Sequence, residues 1–332
     1  MTTSISPTVL PKVDAATLTA RSWRFSRTLT LAVILHLALI PLLLVAMIVD
    51  PRVITGANGW IKPLKFAISG AVYGATLLWL LTFVQGRRRL VSGVAGVTGA
   101  ALIVETALIS MQVARNTVSH FNIATVFDGV VFGIMGTFIM LLAMANFTLA
   151  VALGVQRLPE PVAAAGIRWG LVISLAGMVA GVLMTSGNLP PSSLAAAQAG
   201  ERMTIVGAHS VGVDDGGPGL PFFGWSTLGG DLRVGHFVGL HGLQALPFLA
   251  FVFTRNWVKR RFSQRQRVTL VWIGGAGYLG LTLLLIWQAL RAQPLIAPDA
   301  TTFTAAAILA ATIAGATLMV FGGGMRRAAQ PG

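Results

Sequence analysis

Eight runs of about 20 or more apolar residues, separated by short basic segments, constrain this chain more than any other feature. A helix rising about 1.5 Å per residue needs that length to cross a hydrocarbon layer about 30 Å thick. It also satisfies its own backbone hydrogen bonds, which lipid cannot do. The runs predict spans at 28–49, 65–85, 91–113, 123–153, 167–189, 234–254, 268–290 and 302–322. The expected fold is an all-α polytopic transmembrane bundle, one membrane domain over 28–322. It is flanked by tails at 1–27 and 323–332 and interrupted by an extracytoplasmic loop at 190–233. Only 10% of the residues are charged and the mean hydropathy is +0.78. Soluble domains carry about 25% charged residues, so that class is excluded.

Orientation follows from lysine and arginine. With the N-terminus inside, seventeen of the 24 basic residues fall on the inner side, in the clusters Arg87–Arg89, Arg255–Arg267 and their neighbours. This asymmetry predicts that both termini are cytoplasmic. The net charge of +14 therefore reads as topology and contact with anionic membrane lipids, not as a nucleic-acid surface. The chain has no cysteine, which excludes disulfides, thiolate nucleophiles and cysteine-bound metals. No apolar stretch with a cleavage site opens the chain, so no cleaved signal peptide is expected. Abundant Ala, Gly and Arg without Cys points to a bacterial cytoplasmic (inner) membrane.

Three pairs of glycines four apart, Gly70/Gly74, Gly129/Gly133 and Gly177/Gly181, predict close helix contacts. No internal duplication is visible, which counts against a repeat-built transporter.

The polar residues gather on the outer side. Glu105, Gln112 and Asn116 fall within roughly 40° on one helical face, with Arg115 at its flank. Ser119, His120 and Asn122 follow in the connection, and Asp128 opens the fourth span. In the segment GDLRVGHFVGLHGLQ, Arg233, His236, His241 and Gln244 share an arc of roughly 140°, with Gly235, Gly239 and Gly242 opposite. Such a face belongs inside the bundle, since lipid rejects it at about 2.5–3.5 kcal/mol per charge near mid-bilayer. The loop before it contains His209, Asp214, Asp215 and the aromatics Phe222, Phe223 and Trp225. It is expected to form either an ordered cap over the polar cluster or an aromatic belt at headgroup level. A short helix in PPSSLAAAQAG, capped by Ser192 or Ser193, is expected at its start.

Three chemistries fit these residues. In the leading one, a transition metal or haem is held by His120, His236 and His241, with Asp128, Asp231 or Glu105 completing the ligands. His36 lies too deep for that site and reads as a packing residue. The second is a proton-coupled transporter, with Glu105, Asp128 and the histidines relaying protons and Arg115, Arg233 or Lys65 holding an anion. The bare cytoplasmic half argues against it. The third is a metal-free enzyme acting on a lipid, quinone or small-molecule substrate, with His236 or His241 as base. Across these readings the catalytic candidates are His236, His241, Glu105 and Asp128, and the substrate-binding candidates are Arg115, Arg233, Gln112 and Gln244. GxSxG and phosphate-loop patterns are absent, which disfavours serine hydrolysis and nucleotide-driven mechanisms.

Overall fold

The computed structural model describes residues 22–328, with side chains through Phe321. The expected tails up to residue 21 and beyond residue 328 lie outside the described residues. The chain runs α1 (Arg27–Val49), β1 (Val53–Ile54), β2 (Ala57–Asn58), α2 (Ile61–Leu81), α3 (Arg88–Ala114), α4 (Val126–Val155), α5 (Pro161–Leu183) and α6 (Pro191–Gln198). It continues with β3 (Ser210–Val211), β4 (Gly230–Asp231), α7 (Leu232–Phe253), α8 (Asn256–Lys259), α9 (Gln264–Leu290) and α10 (Ala300–Ala328). Among the described residues eight helices are long and apolar enough to cross a membrane: α1 to α5, α7, α9 and α10. The fold is an all-α polytopic bundle, as expected; the two antiparallel ladders, β1–β2 and β3–β4, hold two residues per strand. We call the side bearing the α1–α2, α3–α4, α5–α7 and α9–α10 connections the outer side.

Local chemistry sets most helix starts. Ser26, Thr125, Glu160 and Asp231 each accept a backbone N–H in the first turn of α1, α4, α5 and α7. Ser263 and Gln266 close a reciprocal capping box on α9. Three spans, α2, α5 and α9, start four or more residues earlier than hydropathy predicts, α9 because its capping box opens at Ser263. α2 begins at Ile61 rather than 65, because Lys62 and Lys65 lie within its first turns. α5 begins at Pro161 rather than 167, because Pro fits the first helical position and Arg168 turns back to the carbonyls of Leu153 and Gln156. In α6 the expected serine caps are not used. Pro191 occupies the first turn, and Ser192 and Ser193 bond to Asp214 and the Ile205 carbonyl instead.

The spans form two groups. α1 to α4 pack on one another, as do α5, α7, α9 and α10, and α4 joins α5 across the seam. Glycine sets the spacing in both. A Cβ on Gly70 would lie 2.3 Å from the His36 ring, and one on Gly74 would lie 2.7 Å from Val33, so α1 rests in this groove of α2. The tightest crossing joins α5 and α7: a Cβ on Gly177 would meet the Leu240 amide at 2.6 Å, and one on Gly239 would meet the Gly177 Cα at 2.5 Å. Gly235 and Gly242 likewise receive Ile286 of α9 and Ile173 of α5, so the glycine face of α7 packs as expected. Gly129 and Gly133 do not. Nothing lies within 4 Å of a Cβ on Gly133, because α4 meets its neighbours through other faces. The inner half of the seam is filled by Leu77, Leu80, Leu149, Leu153, Leu171 and Leu243.

Gly177→Ala is expected to lower the thermal unfolding midpoint in detergent, since overpacking a rigid crossing costs about 1–3 kcal/mol. Gly133→Ala should leave the midpoint unchanged or raise it, since Ala is about 1 kcal/mol better than Gly in a helix. Equal midpoints would contradict the crossing.

Candidate functional site

The opening of α7 explains its acid and arginine. Asp231 is buried; it caps the helix by accepting from the Arg233 amide (3.0 Å) and also accepts from the Ser226 amide (2.8 Å). The Arg233 guanidinium neutralises it, with Nε at 2.9 Å from Oδ1 and Nη2 at 2.5 Å from Oδ2. Arg233 Nη2 also donates to the Gly224 carbonyl (2.6 Å), and Lys65 Nζ of α2 donates to the Phe223 carbonyl (2.8 Å). These two cations pin the same turn of the long loop from opposite sides of the seam. Phe223 stacks on Trp225 at 4.4 Å, and both meet Phe237 of α7 edge-on at 5.7 Å. Phe222 remains 55% exposed. The loop is therefore an ordered cap whose outermost aromatic is left free.

A second strap lies across the α3–α4 connection. The Ile123 amide donates to the Thr204 carbonyl (2.8 Å) and the Val206 amide to the Phe121 carbonyl (2.9 Å). Phe121 holds φ of +62° with its ring buried, a conformation unfavourable for a bulky residue and kept here by packing. Its ring lies 5.0 Å from His209 and 6.0 Å from His120.

Beneath this cap the structure brings together Glu105, His120, His209 and Asp215, with Lys62 and His236 close by. Glu105 of α3 is 3% exposed, and neither carboxyl oxygen has a hydrogen-bond partner among the described residues. His120 Nε2 approaches Oε1 at 3.2 Å, while its Nδ1 lies 3.0 Å from the Ser119 hydroxyl. In the tautomer in which Ser119 donates to Nδ1, the ring proton is on Nε2, on the side of the carboxyl group but not hydrogen-bonded to it. His209 lies 6.4 Å from His120, ring centre to ring centre. Its Nδ1 donates to Asp215 Oδ2 at 2.6 Å, which leaves Nε2 to accept a proton. Asp215 also accepts from the backbone amides of His209 (3.0 Å) and Ser210 (2.8 Å).

Electrostatics ties these groups to Lys62. Its ammonium acts on His120 and His209. Burial pushes His120 well below the ordinary histidine range, and the charges of Lys62, His209 and His236 push the same way. Burial also lowers His209, against the hydrogen bond and charge of Asp215, which raise it. Burial alone would raise Asp215, yet its bonds from His209 and Ser210 hold it well below the usual carboxylate range.

The remaining sequence candidates stand elsewhere or are already engaged. Asp128 accepts from Gln112 (2.9 Å), Arg115 (2.6 Å) and the Thr125 hydroxyl (2.6 Å). Arg115 also bonds Gln112 and covers the Phe127 ring at 4.4 Å. These three polar side chains form a clasp between the end of α3 and the start of α4. His236 Nδ1 donates to the Gly177 carbonyl (2.8 Å), with its ring in the space that Gly181 leaves open. His241 donates to the Phe237 carbonyl (2.9 Å) and lies against that ring at 4.1 Å. Gln244 donates to Thr76 of α2 (3.0 Å), bridging the seam. Among the described residues no group of three or more His, Asp or Glu side chains converges as the ligands of a metal ion would. The sequence places Lys62 in the outer polar set and His209 and Asp215 on a loop able to reach it, but it does not show that His209 and Asp215 pair beside Glu105 and His120. The histidine and acid six apart in a glycine-rich loop were the available signal.

Comparison with protein-family models, with curated proteins and with solved structures finds no match to this chain. What is established is the class: an integral, multi-pass membrane protein, with two histidine–carboxylate pairs beneath its loop cap.

Two outcomes are expected. By 15N NMR of labelled histidine, His120 and His209 titrate below the ordinary value of about 6.5, and Asp215→Asn moves His209 lower still. The unfolded chain then binds protons that the folded one refuses, so these histidines make stability fall as pH drops below about 6.5. Midpoints at or above that value would contradict the assigned environments. Asp128→Ala should cost about 1–3 kcal/mol of stability by thermal unfolding, while leaving the His209 titration unmoved.

Proposed function

We propose that the protein is a membrane-embedded enzyme performing metal-free acid–base chemistry on a lipid- or quinone-like substrate reached from the outer side. One observation carries this reading. Two histidine–carboxylate pairs, His120–Glu105 at 3.2 Å and His209–Asp215 at 2.6 Å, lie with their rings 6.4 Å apart beside the Lys62 ammonium. Asp215 fixes the His209 tautomer so that Nε2 is a general base. The Glu105 carboxyl group, without a hydrogen-bond partner among the described residues and 3.2 Å from His120 Nε2, is placed to give up a proton as a general acid. Lys62 suits an anionic group or the negative charge that develops on a substrate oxygen. Phe66 and the Phe223–Trp225 stack supply flat apolar surface for an amphiphile.

This reading is preferred to the two others on stated grounds. A carrier needs a route to both faces for its solute, and leucines fill the inner half of the seam. A metal or haem centred on His120, His236 and His241 needs them to converge, whereas His236 is bound to α5 and His241 to its own helix. A bacterial inner membrane is the compartment that the composition favours, with the charge asymmetry setting both termini on its cytoplasmic side.

The test is to reconstitute the full chain in liposomes of bacterial polar lipid and quinone extract and to follow both pools by mass spectrometry. A product is expected that forms equally with or without chelator. Glu105→Gln and His209→Ala should each lower its rate by about 100-fold or more, the scale of general acid–base catalysis. A product that disappears on chelation and returns with added metal would favour the metal centre instead.

A further inference from the structure

Buried polar atoms without a partner are concentrated in the α1–α2–α3 group. Besides the two oxygens of Glu105, they include Tyr73 OH, Thr98 Oγ1 and Thr30 Oγ1. Buried hydroxyls normally bond to protein or to an ordered water. Between Glu105 and these hydroxyls stands His36 of α1, a titratable group that the outer site does not use. It is 1% exposed, with Nδ1 donating to the Ala32 carbonyl (2.7 Å) and Nε2 at 2.9 Å from the Thr106 hydroxyl. Thr106 adjoins Glu105 on α3.

These groups form a descending series. Gly70 of α2 touches the His36 ring, and Tyr73 follows about 4.5 Å further inward. Thr98 lies seven residues, about 10 Å, inward of Glu105 on the same face of α3. At that level Gly99 meets the Thr28 carbonyl and the Leu29 amide of α1, with Thr30 adjoining. Below them a cavity of about 510 Å3, lined by Trp23, Arg24, Ser26, Thr28 and Ser92 among others, opens at the inner face.

We propose that Glu105, His36, Tyr73, Thr98 and Thr30 are the fixed points of a buried water chain that carries protons between the outer acid–base site and the inner face. The reading of Glu105 as a proton-exchanging group underlies this step. His36 takes a proton at Nε2 from the Thr106 side, and the imidazolium releases one from Nδ1 to water in place of the Ala32 carbonyl. One proton is gained and one lost, with no other bond changed. The apolar filling of the central seam leaves solutes no parallel route.

The full chain in liposomes containing a pH-sensitive dye, under a potassium diffusion potential, tests the chain directly. Wild type is expected to move protons about tenfold or more faster than protein-free liposomes, with Thr98→Val and His36→Gln both near the protein-free rate. Thr98→Val keeps the side-chain shape and removes an unpartnered hydroxyl, so its thermal midpoint should not fall. Proton flux in Thr98→Val equal to wild type, or no flux in wild type, overturns the chain. The outer reading is separately legible: if Glu105→Gln abolishes product formation while wild type and Thr98→Val conduct alike, the acid–base site stands and only the water chain fails.

Discussion

The backbone contact of Gly177 with Gly239 is the constraint on which the site depends. Without side chains at these two positions, α5 and α7 approach until backbone meets backbone. That approach brings the Gly177 carbonyl to His236, and Gly181 leaves the ring its space. The glycines of α7 then face α5 and α9, which turns its other face toward the seam with α2, where Gln244 reaches Thr76. In lipid, where apolar surface provides little net drive between helices, such close packing and a few interhelical hydrogen bonds carry the assembly.

The seam so formed is unlike at its two ends. Leucines close the inner half, and ionisable groups fill the outer half. The outer half needs its cap for a physical reason. Loop backbone at membrane depth must find partners in protein, and this loop finds them through Lys65, Arg233, the Phe121 carbonyl and Asp215. The cap in turn shields Glu105 and His120 from bulk water, where their interaction would be weak. Fold and site are thus linked: Arg233, which pins the loop, is also close enough for its charge to act on His209.

Much of the fold was legible because hydropathy and helix length are fixed by the bilayer. Boundaries slipped where a charged side chain is tolerated inside a helix, as at Lys62 and Arg168, since a hydropathy window counts the charge but not where it points. The glycine pairs were legible only in part. Gly177 and Gly133 have the same spacing, and only the third dimension distinguishes a crossing from an open face. Within the site, Glu105 and His120 were readable as depth-matched unusual residues. Asp128, Gln112 and Arg115 looked equally functional, yet they satisfy one another. His209 and Asp215 were visible as loop residues able to reach the site, but their pairing was hidden because the path of a glycine-rich loop, unlike a helix, has no period from which contacts follow.

The ionisable cluster is reached from the outer side and closed to solutes from the inner. The cysteine-free chain allows a direct measurement. Single cysteines replace Lys62 and, separately, Leu149 of the inner seam, and a membrane-impermeant thiol reagent is applied from one side at a time. The account predicts labelling at position 62 from the outside alone, slowed when His209 and its loop are crosslinked in place, and none at position 149 from either side. Labelling at position 149, or at position 62 only from the inside, would contradict it.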